Sequence, residues 1–98
     1  MKDILLNTIN AAVRKAQLEY GTQNVELVLT FNDAHVSVFI DGKKKESIAM
    51  PNNLFKPILA FMQSLVDGKN AKLILLRATE NNTSLYYEAN DEKLIKSL

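Results

Sequence analysis

His35 is the only histidine in a chain of 98 residues that contains no cysteine. Those two facts bound the chemistry available. A hydrolytic relay needs a base beside a nucleophile and an acid. His35 could pair with Ser37, two residues along the same strand face, or with Ser47 or Ser84. None of these serines sits in a G-x-S-x-G elbow. Zinc would lack thiolates and a second imidazole. A hard cation would need clustered carboxylates, and the acidic residues are scattered without calcium-loop spacing. Gly68-Lys69 has no glycine ahead of it at P-loop spacing. No carboxylate pair stands out for glycoside chemistry, which would also need a cleft. These exclusions predict a protein that is not an enzyme and uses no metal or cofactor.

The second chemical feature is basic. Lys43-Lys44-Lys45 follows Asp41-Gly42, with Phe39 close by. An aromatic beside lysines on a strand can stack a nucleobase. Only one such aromatic is present, and the net charge is +1, whereas nucleic-acid binders concentrate positive charge. A solvated turn and charged edge account for the cluster, so nucleic acid is the weaker expectation beside protein.

The elements that must position these residues follow from periodicity. Residues 3–20 repeat apolar groups at three- and four-residue spacing (Leu5, Leu6, Ile9, Ala12, Val13, Ala16, Tyr20), which predicts an amphipathic helix. Asp3 can cap its start and Gly21 its end. Residues 24–31 and 35–40 alternate, and an Asn32-Asp33 turn pairs Leu29 with Val36, Leu27 with Val38 and Val25 with Ile40. After Asp41-Gly42 a strand at about 44–50 would place Ile48 and Met50 on the core face, given a longer turn with a bulge. Pro51-Asn52-Asn53 breaks that strand. A second helix over about 53–66 carries Leu54, Ile58, Leu59, Phe61, Met62, Leu65 and Val66, with Pro57 required in its first turn or at a kink. Asp67-Gly68 would end it.

AKLILLRAT at 71–79 has four consecutive large apolar residues, Leu73 to Leu76, so a strand there is apolar on both faces. An Asn81-Asn82 turn into a strand at 84–89 pairs Ala78 with Leu85, Leu76 with Tyr87 and Ile74 with Ala89. Asn90 or Asp91 could cap a short last helix with Leu94, Ile95 and Leu98. The expected fold is a single α+β domain over 1–98, ordered α-β-β-β-α-β-β-α, with a largely antiparallel five-stranded sheet and helices packed on it.

That pairing leaves a second sheet face bearing Val28, Phe39, Leu73, Leu75 and Tyr86, interleaved with His35, Ser37, Arg77 and Glu88. Aromatics among a few charges are the composition of interface patches. The expected partner-binding residues are His35, Phe39, Leu73, Leu75, Arg77, Tyr86 and Glu88. A terminal helix, a second copy making a homodimer, or another protein would cover them. No apolar run approaches the roughly 20 residues of a membrane span, and MKDILLNTIN lacks a signal-peptide h-region. A cytoplasmic protein is therefore expected.

In its end hairpin, LILLRATENNTSLYYEAND, the chain resembles small bacterial immunity proteins of the YezG-like kind, which neutralise secreted nuclease toxins. In element order it resembles class I type III secretion chaperones, small dimeric proteins that bind effectors. Both resemblances imply a protein that works by occupying a partner's surface, with no residue roles carried over. The leading expectation is an immunity or antitoxin-type inhibitor, ahead of a secretion chaperone, a nucleic-acid-binding regulator or a small hydrolase using His35.

Overall fold

The computed structural model describes residues 2–66 and 71–98, apart from the side chain of Leu54. The expected helix end at Asp67-Gly68 lies outside these residues. The order is α1 (Lys2–Tyr20), β1 (Val25–Thr30), β2 (His35–Ile40), β3 (Lys43–Ala49), α2 (Asn52–Leu65), β4 (Lys72–Thr79), β5 (Asn82–Ala89) and β6 (Glu92–Ser97). The strands form one antiparallel sheet, β3-β2-β1-β4-β5-β6. The fold is α+β, as expected, but with six strands.

The sixth strand replaces the expected last helix. Leu94, Ile95 and Leu98 fit a helical repeat, but so short a run decides little by period alone. Asn90 and Asp91 decide it: both take positive φ, 54° and 62°. Together they make a two-residue hairpin turn instead of a helix cap. Ala89 then faces Glu92, and Tyr86 faces Ile95. Glycine adopts such a φ without steric cost, so Asp91→Gly is expected to raise stability by about 0.5–1 kcal/mol. Urea unfolding measures this, and a helical C-terminus would show a loss instead.

α1 ends as its glycine suggests. Gly21 takes φ 65°, and the Thr22 N–H donates to the Gln17 carbonyl at 3.2 Å, closing the helix end. Asp3 lies within the first turn rather than capping it. There its charge still favours the positive end of the helix dipole. Gln17 is buried and donates to the Gln23 carbonyl at 3.2 Å.

The β1–β2 register matches expectation, but the turn is wider. Phe31 and Ala34 do not pair with each other. The Phe31 N–H donates to the Ile74 carbonyl and the Met50 N–H to that of Ala34. The loop thereby ties β1 to β4 and β2 to β3. The β2–β3 turn is the tight pair Asp41-Gly42, both at positive φ. The bulge comes within the strand, where Lys45 is the extra residue. It restores the parity that puts Ile48 opposite Val36 and buries Met50.

α2 crosses the sheet from edge to edge. It starts directly after β3, packs Phe55 against Phe31 at a tilt (centroids 6.3 Å apart), buries Met62 fully, and near its end the Leu65 carbonyl accepts a hydrogen bond from Lys96 of β6 at 2.5 Å. Pro57 falls in the second turn, not the first. It has no N–H for the Asn53 carbonyl, which sits on an exposed residue where solvent can serve it.

Both helices cover the same sheet face. The core joins Ile9, Val13 and Ala16 of α1 and Met62 of α2 to Val25, Leu27, Leu29, Phe31, Val38, Ile40, Leu73, Leu76, Ala78 and Leu85.

Candidate protein-binding surface

Among the described residues the opposite face carries no helix, since the segment expected to form a terminal one is β6. Antiparallel sheets tolerate a solvated face, so the question is what this one displays. Strand register places its side chains in rows running across the sheet.

The central row is His35, Thr30, Leu75, Tyr86 and Ile95, each opposite the next across β2, β1, β4, β5 and β6. Its last three members are an apolar strip, with Ile95 64% exposed. On one side runs Ser37, Val28, Arg77, Ser84 and Ser97. Beyond that, Lys44, Phe39 and Glu26 form a third row. On the other side Lys72, Glu88 and Lys93 alternate in charge. An apolar centre is thus bordered by polar and charged rows.

Arg77 anchors the centre. Its Nε and Nη2 donate to the two carboxylate oxygens of Glu26 at 3.1 and 2.9 Å, a two-pronged ion pair. The hydrogen bonding to Glu26 is also the main reason the guanidinium pKa is raised further above its usual range. The Arg77 Cζ lies 5.9 Å from the Tyr86 ring centroid, within cation–π reach. Both partners of the ion pair are partly exposed, so its stabilisation is at most about 1 kcal/mol. Its main effect is to hold Arg77 over the Tyr86 ring.

His35 lies at the end of the central row with its side chain 40% exposed. Its Nδ1 is 2.8 Å from the Asp33 carbonyl, an acceptor, so that nitrogen carries the proton. The Asp33 carboxylate accepts from the Thr30 hydroxyl at 2.5 Å, and this bond chiefly lowers its pKa. Ser37 is buried within the sheet face.

Leu73 must be corrected. It was expected on this face and is instead 7% exposed in the core beneath the helices. The β4–β5 turn falls at Glu80-Asn81, with Thr79 opposite Asn82, so Leu76 pairs with Leu85 and not Tyr87. A slip of that kind preserves side-chain parity. The bulge at Ile74 then breaks it, because Leu73 faces Tyr87 while Leu75 faces Tyr86. Leu73 therefore turns inward, and Ile74 is only half-buried.

His35, Phe39, Leu75, Arg77, Tyr86 and Glu88 do share the open face. Sequence reasoning missed Ile95, which extends the apolar strip, and Glu26, which holds Arg77. Ile95 was hidden by the helical reading of 91–98. The partner of Arg77 is on a strand distant in sequence, so only register reveals it.

Among the described residues no group of acidic, histidine or cysteine side chains could hold a metal ion, and no helix is long and apolar enough to cross a membrane. No protein-family model, curated protein or solved structure matches the chain. The fold and surface together define a single α+β domain with one helix-covered and one open sheet face.

Proposed function

We propose that this domain is a non-catalytic protein-binding module that docks its open sheet face on a partner protein, acting as an immunity or antitoxin-type inhibitor in the cytoplasm. The observation that carries this reading is the uncovered strip Leu75, Tyr86 and Ile95 on three adjacent strands, with Arg77 held over Tyr86. Tyrosine and arginine dominate interface hot spots, and an apolar centre with a charged rim is the usual interface anatomy. The mechanism is occlusion: the face covers a functional surface of a toxin without turnover. The alternating Lys72, Glu88 and Lys93 row would select partner and register more than it adds affinity.

The test begins with the protein encoded beside this one. Co-expression should relieve its toxicity, and calorimetry should give a defined affinity. Phe39→Ala and Tyr86→Ala are each expected to weaken binding about 10- to 100-fold with the fold intact by NMR. Unchanged affinity in both would remove this face from the interface.

A further inference from the structure

The helix-covered side of the sheet is incompletely covered. α1 and α2 leave a cleft of about 310 Å³ over β1, β2 and β3, lined by Leu5, Ile9, Val36, Ile48, Met50 and Ile58 among other residues. Ile48 remains 55% exposed there although it points toward the core side. Among the described lining residues the one side-chain hydroxyl, on Thr8, donates to the Ile4 carbonyl of its own helix at 2.8 Å. The lining side chains therefore present an apolar surface to an occupant.

One wall of this cleft is a free sheet edge. The Met50 N–H donates inward, to the Ala34 carbonyl. Backbone direction alternates along a strand, so Ile48 also bonds inward, while the N–H and C=O groups of Ser47 and Ala49 point out of the sheet. Proteins guard such edges with lysines and bulges. Here Lys43, Lys44 and Lys45, with the bulge at Lys45, guard only the first half of β3. The second half, beside the cleft, has no such guard.

We propose that this half-edge and cleft form a second binding site, which takes an extended segment of another protein as a seventh strand. Strand addition would satisfy the outward groups of Ser47 and Ala49, and every second side chain of the segment would enter the cleft next to Ile48. A helix satisfies its own backbone and would leave those groups to water. The same segment continues past Lys45, Lys44 and Lys43, so its chemistry is aliphatic residues at alternate positions followed by acidic ones. The β6 edge of a second copy fits less well, because it carries Lys93 and Lys96. Pairing β3 with β6 would set lysines against lysines.

The probe is a short capped peptide in which valine alternates with serine and one end carries consecutive glutamates. Fluorescence anisotropy should show saturable binding with a Kd below about 1 mM. Exchanging the glutamates for lysines, or Ile48→Ser in the protein, should each weaken it at least about 10-fold. Ser47→Pro removes an outward N–H without touching the β2 ladder and should abolish binding. Should that variant fail to fold, N-methylation of the peptide backbone makes the same test on the unaltered protein. Tyr86→Ala should change nothing, which separates this site from the open face. The proposal is overturned by absence of saturable binding, by equal affinity for acidic and basic peptides, or by indifference to N-methylation. A concentration-dependent dimer made monomeric by Ser47→Pro would also overturn it, by assigning the edge to a second copy.

Discussion

Replacing Leu73 with aspartate is expected to unfold the domain, while the same change at Leu75 leaves it folded. The two leucines lie two residues apart, and in an unbroken strand they would share a face and respond alike. The bulge at Ile74 separates them. Leu73 is 7% exposed beneath the helices, whereas Leu75 is half-buried on the open face. Removing a buried leucine costs about 2–5 kcal/mol, and an unpaired carboxylate in its place adds several more. Total stability for such a domain is about 5–15 kcal/mol, so Leu73→Asp consumes most of it. Leu75→Asp should cost roughly 1 kcal/mol or less. Urea midpoints of the two variants decide the matter. Equal losses would mean that the strand runs without its bulge.

The second large effect lies in the row Leu29, Leu76 and Leu85, which crosses β1, β4 and β5. Leu76 and Leu85 are both 0% exposed and face each other across the ladder. Leu76→Ala and Leu85→Ala should each cost about 2–5 kcal/mol, the value depending on how far the helices settle into the space. Because the two sites share one cavity, the double variant should depart from the sum by about 0.5–3 kcal/mol. Strict additivity in a denaturant double-mutant cycle would show that the two side chains do not meet.

Both expectations depend on features that the sequence expresses unequally. The alternation in β1 and β2 is strong, and its register is legible from residue types alone. The α1 stop was legible too, since Gly21 has a specific backbone role. Bulges are harder to read. Lys45 and Ile74 carry no compositional mark, and each is placed by long-range pairing. The parity change in β3 is legible because the apolar residues Ile48 and Met50 demand it, but the expected longer turn is wrong: the turn is tight and the extra residue is Lys45. The parity change at Ile74 is not legible, because Leu73 to Leu76 supply an apolar residue for either face. The last strand was misread for a related reason: Asn90-Asp91 suits a helix cap and a tight turn equally well by residue type. The open face was legible in most members because register errors by two residues do not change sides.

The strand order also sets how the chain must assemble. β1 to β3 and β4 to β6 are two local meanders, and among the described residues they are joined by one ladder, the seam between β1 and β4. Hairpins close within microseconds. The seam instead brings together residues as distant in sequence as Leu27 and Ala78, and its loop-closure entropy comes due before any core contact across it forms. The slow step of folding is therefore expected to be closure of this seam, and stopped-flow refolding tests it: substitutions at Leu29 or Leu76 should slow folding, and unchanged folding rates would place the slow step elsewhere.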